Sequence, residues 1–195
     1  MSPRAKGFDV DRVLDAAMSA FWEKGYAGTS AQDLVESTGL GRGSLYHTFK
    51  SKHDLFEAAL RRYDTEWTSR LVGILEDGDT PAADRIRAVL MSVVEEETAG
   101  VPGRRGCLVV NSAVELAGRD PEITDLVRDT FARVTDALTA CVEEGHRDGT
   151  VDDRRAARPL ALYLLNSLYG LRVLGKGTDR ATLTGIVDQV MTSLR

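Results

Sequence analysis

The sequence predicts an all-α protein of about nine helices. Apolar residues recur at intervals of three and four along nearly the whole chain, and no stretch alternates with the period of two that marks a strand. Glycine, proline and aspartate divide the pattern into segments of helical length. No internal repeat or low-complexity stretch interrupts it.

Val10, Val13, Leu14, Ala17 and Phe21 form one stripe, an amphipathic first helix that ends near Gly25. Thr29 or Ser30 can cap the second helix, and Asp33 is favourable in its first turn. Gly39 stands where the chain must turn sharply, because glycine enters positive φ without a Cβ penalty, and Leu40 can tuck under that turn. A third helix runs from about Gly41 to Phe49. Ser51 caps a longer fourth helix, with Leu55, Ala59, Tyr63, Trp67 and Leu71 as its predicted buried positions.

The break at Glu76–Thr80 precedes Pro81, which suits the first turn of a fifth helix carrying Ile86, Val89, Leu90, Val93 and Val94. Ala99–Gly106 reads as a Gly/Pro/Arg loop and Cys107–Leu116 as a sixth, mostly apolar helix. Asp120-Pro121-Glu122 signals the start of a seventh, whose stripe of Ile123, Leu126, Val127, Phe131, Val134, Leu138, Cys141 and Val142 leads to about His146, with Gly145 and Gly149 ending it. The segment from about Asp153 to Leu174 is apolar almost all round, so burial on more than one side is expected. Leu183, Ile186, Val187, Val190, Met191 and Leu194 mark the last helix.

With 195 residues, 43% of them hydrophobic, the chain can bury a real core. It has no 18-residue apolar run, and its start, MSPRAKGFDVDR, lacks the apolar stretch of a signal peptide. A cytoplasmic protein without a membrane span is expected. Cys107 and Cys141 give no disulfide framework, and with His47, His53 and His146 they show no metal-ligand spacing. No phosphate-cradling loop or nucleophile elbow is present, so no enzyme activity and no cofactor are expected. Glu95-Glu96-Glu97 is the one carboxylate run; consecutive helical positions splay over different faces, which points to a solvated charge cluster.

The segment Thr29–Leu55 carries the functional signal. Leu45 and Phe49 lie four apart and can anchor the third helix on one face. Arg42, Gly43, Ser44, Tyr46, His47 and Lys50 then point elsewhere: hydrogen-bond donors, an aromatic ring and cations, with no acid among them. Two short helices across a glycine turn with such a face suit a helix-turn-helix entering the major groove of duplex DNA. The net charge of −5 is unevenly placed: residues 1–62 carry +1 and residues 63–195 carry −6, while residues 42–53 hold three Lys/Arg, two His and no acid. The local field at the groove governs contact, so an acidic remainder does not exclude binding to phosphate.

These residues resemble the tetracycline-repressor (TetR) family of one-component bacterial regulators. The likeness is strongest over Val10–Tyr63: Ala16-Ala17 and Phe21, Gly25-Tyr26, Thr29-Ser30, Thr38-Gly39-Leu40, Gly43-Ser44-Leu45-Tyr46, Phe49, Lys52 and Leu55. Gly106-Cys107-Leu108-Val109-Val110-Asn111 and Leu171-Arg172-Val173-Leu174 resemble one broad subgroup. Two positions depart from the pattern: Val35 stands where alanine is usual, and Gly41 where serine or alanine is commoner. The resemblance implies a helix-turn-helix DNA-binding domain at 1–52 and a ligand-binding and dimerisation domain at 53–195.

It further implies a homodimer on a near-palindromic operator of double-stranded DNA, released by a small-molecule effector. Arg42 is then the candidate for a guanine edge, and Gly43 allows close backbone approach. Thr29 and Ser44 can donate to phosphates, Tyr46 and His47 can meet a phosphate or a base, and Lys50 and Lys52 are phosphate clamps. Candidate effector contacts are Trp67, Met91, Cys107, Asn111, Phe131, Tyr163, Asn166 and Tyr169. Asn111 and Asn166 stand out because each amide lies in an apolar run and needs a partner if buried. For the dimer interface the last two helices are expected to contribute Leu164, Leu168, Leu171, Ile186, Val190 and Leu194; the alternative is that those stripes close the protomer core, and both can hold because the penultimate helix is apolar on several faces. Two alternatives stand beside the ligand-responsive repressor. One is a redox or electrophile sensor acting through Cys107, which follows Arg104 and Arg105 near a helix N-terminus. The other is a helical protein-interaction module without DNA binding.

Overall fold

The structure is a computed structural model that describes residues 9–99 and 105–195; Arg104 lies outside the described residues. Among them there is no strand. The helices are α1 (Val10–Gly28), α2 (Ala31–Thr38), α3 (Arg42–Phe49), α4 (Lys52–Tyr63), a π-helical turn (Asp64–Thr68), α5 (Ser69–Leu75), α6 (Ala82–Thr98), α7 (Leu108–Leu116), α8 (Pro121–Asp148), α9 (Ala157–Leu174) and α10 (Arg180–Thr192). The fourth predicted helix is realised as α4, the π-helical turn and α5 in succession, so these eleven stretches answer to the nine predicted helices. No helix among the described residues is long and apolar enough to cross a membrane.

The chain divides into two compact units, one up to Tyr63 and one from Asp64. The boundary thus falls eleven residues later than the expected 52/53 division, because α4 packs on α1. In the first unit α1 also packs on α2, and α3 on both α2 and α4. Phe21, Leu34, Leu45, Leu55, Phe56 and Leu60 are its fully buried centre. The Phe21 and Phe56 rings meet edge-on at 5.0 Å, and so do Trp22 and Tyr63. Arg62 of α4 closes the far end, donating to Asp15 at 2.6 and 3.1 Å and to Asp11 at 2.9 Å. Val10, predicted to join the α1 stripe, is exposed as the first residue of that helix.

The second unit is a helical bundle built round α8, which packs on α6, α7 and α9; α10 lies on α6 and α9. Asp120 caps α8 by accepting from the Ile123 N–H at 3.1 Å, with Pro121 in the first turn, as the sequence signal predicts. Gly149 at φ 76° ends it. Gly145 does not. It is a buried helical residue where a Cβ would lie 2.4 Å from Val151 and 3.2 Å from Ala82, so glycine there permits close packing of the following loop.

The π-helical turn changes the register of the stripe that began in α4. The wider turn puts Thr68 in the core where Trp67 was predicted, while Leu71 is buried as expected. Trp67 is half-buried, with the Arg70 guanidinium 5.0 Å from its ring centre.

The glutamate run of α6 is not a solvated cluster. Glu97 is buried and pairs with Arg172 of α9 at 3.2 Å; Glu96 pairs with the same guanidinium at 2.6 Å, and only Glu95 stays outside, 3.7 Å from Arg180. The three positions do splay, but one of them splays into the core. Arg85 is a second buried cation, donating to the Leu75 carbonyl at 2.6 Å and to Glu144.

Candidate nucleic-acid interface and effector region

α2 begins at a reciprocal cap. The Asp33 N–H donates to Ser30 Oγ at 3.1 Å, and the Ser30 N–H donates to Asp33 Oδ2 at 2.7 Å. Lys24 of α1 donates to the other Asp33 oxygen. The Lys24 ammonium first, and the Ser30 donors second, hold the Asp33 carboxyl well below the usual carboxylate range. α2 ends on Gly39 at φ 69°, whose N–H donates to the Val35 carbonyl at 3.0 Å; this is the sharp turn that needs glycine. Gly41 then caps α3 by backbone geometry alone, with no side-chain bond.

On α3, Leu45 is fully buried and Phe49 half-buried, which fixes the inward face. Arg42, Gly43, Ser44 and His47 are exposed and Tyr46 is half-buried. The predicted partition of this helix therefore holds. Nothing within 4 Å would meet a Cβ at Gly43, so the backbone there is open to close approach from outside.

Lys50 ends α3 in an unusual state. Its φ of 56° is the one positive value at a non-glycine among the described residues, and Ser51 N–H donates back to the Phe49 carbonyl at 2.5 Å. This is a γ-turn, a tight and strained reversal. The Lys50 side chain is exposed. Ser51 then caps α4 as predicted, accepting from Asp54 N–H at 3.0 Å. The Lys52 ammonium sits 4.4 Å from the centre of the Tyr26 ring.

Thr29 is a correction. It is fully buried, and its hydroxyl donates to the Gly25 carbonyl at 2.6 Å. That bond secures the end of α1, where Gly25 leaves the helix at φ 75°, and takes the hydroxyl away from any phosphate. Nothing in the sequence marks the roles of Lys24 and Tyr26, whereas Asp33 stands in the first turn of α2 as expected, at the Ser30-x-x-Asp33 spacing of a reciprocal cap.

In the second unit the predicted effector residues separate into three groups. Cys107, Phe131 and Tyr169 come together. Phe131 stacks obliquely on Tyr169 with centres 4.9 Å apart. Burial, with the Cys107 and Asp64 groups nearby, pushes the Tyr169 phenol well above its ordinary value. Asp64 is held by Thr130 at 3.0 Å and by Arg133 at 3.1 Å. Met91, Phe131 and Tyr169 are half-buried against the core, and Cys107 is 6% exposed at the cap of α7. Asn111 is half-buried but satisfied within the protein: it donates to the Arg105 carbonyl and accepts from Lys176, both at 2.9 Å. Its amide is thus a tie between the start of α7 and the end of α9, not an unmet donor awaiting a ligand.

Tyr163 and Asn166 are corrections. Both are exposed on the outer side of α9, where Tyr163 borders a shallow surface depression with Arg155, Ala156, Pro159 and Leu160. The apolar run around Asn166 misled because α9 is not covered on every side. Leu162, Tyr163, Val173 and Leu174 are between 42% and 54% exposed and recur with helical spacing. The predicted interface residues are corrected with them. Leu164, Leu168, Leu171, Val190 and Leu194 are buried in the protomer core and Ile186 packs against it, leaving little surface for a second chain to cover. These side chains close the protomer core, while α9 keeps a separate exposed apolar stripe.

Comparison with known proteins agrees with this architecture. Residues 13–59 match the family model of bacterial regulatory proteins, tetR family, and residues 82–184 match the model of the tetracyclin repressor-like C-terminal domain. An uncharacterized HTH-type transcriptional regulator of Bacillus subtilis, YezE, is 31% identical across 98% of this chain and 97% of its own. The HTH-type transcriptional repressor ComR of Escherichia coli is 27% identical, over 98% of this chain and 90% of its own. Among solved structures, a cysteine mutant of the TetR family regulator CifR, complexed with 26 bp double-strand operator DNA, is 28% identical with a TM-score of 0.86. The alignment covers 98% of this chain and all of that one. These relatives are regulators of transcription rather than enzymes. With both of its units matched and a full-length relative above 30% identity, the chain belongs to the TetR family of DNA-binding transcriptional regulators.

Proposed function

We propose that this protein acts in the cytoplasm as a homodimeric repressor, placing α3 of each protomer in successive major grooves of a near-palindromic operator and leaving it when a small molecule occupies the second unit. The observation that carries this reading is the outward face of α3, where Arg42, Gly43, Ser44, Tyr46 and His47 are presented without an acid while Leu45 and Phe49 hold the helix down. Arg42 reads a guanine by donating twice, to O6 and N7. Gly43 lets the helix approach, and Ser44, Tyr46 and His47 meet bases or phosphates. Lys50 and Lys52 bind phosphate and set affinity rather than sequence choice. Thr29 positions the α1 end and makes no contact of its own.

The exposed stripe of α9, Leu162, Tyr163, Val173 and Leu174 with Asn166 between them, supports this face as the two-fold interface. The effector region centres on Cys107, Phe131 and Tyr169, with Met91 packed against the same core as the two rings: an aromatic and sulfur lining suited to an apolar molecule. Burial of Cys107 favours a packing role over thiol sensing. An effector that prefers the released state by about 100-fold shifts the equilibrium by about 2.7 kcal/mol per site.

The test is retardation of DNA from the region upstream of the protein's own gene, measured across a salt series. Binding that weakens steeply with salt is expected. No retardation at low salt on any such fragment would favour a helical interaction module instead.

A further inference from the structure

We infer that Tyr26 is a positioning residue for DNA binding, acting by holding the Lys52 ammonium over its ring so that the charge stands ready at the α3–α4 corner. The inference rests on the reading of Lys52 as a phosphate contact.

Tyr26 comes from the end of α1 and Lys52 opens α4, so the pair joins two elements of the first unit. The ammonium is 4.4 Å from the ring centre, inside the range where a cation is drawn to the negative face of an aromatic ring. The ring is itself fixed. It lies 5.0 Å from Phe56 and 6.3 Å from Phe21, both almost fully buried, and its plane is tilted or stacked against them. His53 approaches it edge-on at 6.4 Å. A lysine side chain is a long, flexible stem that loses rotamer freedom when it grips a phosphate. Resting the ammonium on a ring anchored in the core removes part of that freedom before DNA arrives, and the pairing leaves the charge intact. Lys52 is half-buried where Lys50, two residues earlier, is exposed, as a stem laid along a ring requires. The Lys50 charge is aimed by a strained backbone and the Lys52 charge by an aromatic face, so the corner presents two cations by independent means.

The experiment is a double-mutant cycle on the full-length protein with a mixed-sequence duplex DNA, since phosphate contacts do not depend on sequence. Lys52→Gln lowers the slope of log affinity against log salt by about 0.9 per lost contact, about 1.8 for a two-fold pair. An unchanged slope would remove Lys52 from the interface and the reading on which this inference rests. Tyr26→Leu weakens binding about two- to five-fold in the unaltered protein and has no further effect in the Lys52→Gln background. Tyr26→Phe keeps the ring face and restores binding. Equal losses from Tyr26→Leu in both backgrounds, or none in either, would overturn the inference while leaving Lys52 a phosphate contact. Should Tyr26→Leu unfold the first unit, pentafluorophenylalanine at position 26 keeps the volume and reverses the ring's charge distribution; it lowers affinity if the ring holds the ammonium, and unaltered affinity contradicts that.

Discussion

Arg172 of α9 and Glu97 of α6 form an ion pair at 3.2 Å in which both side chains are almost completely buried. Two charges withdrawn from water are stable only together, so removing one strands the other. Glu97→Ala removes the more deeply buried of two carboxylates paired with Arg172, and we expect a loss of about 2–3 kcal/mol in urea denaturation. Glu95→Ala, which removes an exposed partner of Arg180, should change stability by less than about 0.5 kcal/mol. Equal effects would show that burial does not distinguish the two.

Lys50 separates strain from function. Glycine adopts its φ of 56° without penalty, whereas alanine does not. Lys50→Gly should therefore be more stable than Lys50→Ala by about 1 kcal/mol in chemical denaturation. Both should bind DNA more weakly than the lysine, because both lack the charge. A glycine variant no more stable than the alanine variant would mean that the turn is not strained.

The exposed and buried sides of α9 make opposite predictions. Leu162→Glu or Val173→Glu on the open stripe should give a folded monomer in analytical ultracentrifugation. Leu168→Ala, in the core, should cost about 2–5 kcal/mol of stability. A Leu162→Glu protein that stays dimeric would move the interface elsewhere.

Asp33 has a depressed pKa in the folded protein, set by Lys24 and then by Ser30. A group whose pKa falls on folding contributes stability that is fully present above its unfolded value near 3.8 and is lost as pH falls through its lower folded value. Asp33→Asn should flatten the acid limb of stability below about pH 4, read by helical circular dichroism during acid titration. An unchanged limb would mean that Lys24 and Ser30 do not hold this carboxylate.

Much of this was readable in the sequence because local chemistry decides it. Ser30 with Asp33, Gly39, Ser51, and Asp120 with Pro121 mark helix ends where the structure has them. The division of α3 into Leu45 and Phe49 inside and Arg42, Gly43, Ser44 and His47 outside follows from spacing alone. What escaped depends on partners distant in sequence. A helix apolar on several faces does not say which face lacks a neighbour, so Leu164 and Leu168 were exchanged with Leu162 and Tyr163 as the surface of α9. The π-helical turn at Asp64–Thr68 has no sequence marker, and it moved Trp67 off the buried stripe. Thr29 differs for a local reason: a hydroxyl serves a backbone carbonyl as readily as a phosphate, and here it donates back to Gly25, four residues earlier.

The central claim, that α3 enters the major groove twice per dimer, is tested most directly by dimethyl sulfate footprinting, which modifies guanine N7 in that groove. Two patches of protected guanines should appear, with centres about 10 bp apart or a multiple of that, and Arg42→Ala should lose guanine protection within each patch while the dimer persists. A single patch, or bound DNA whose guanines all remain reactive, would contradict it.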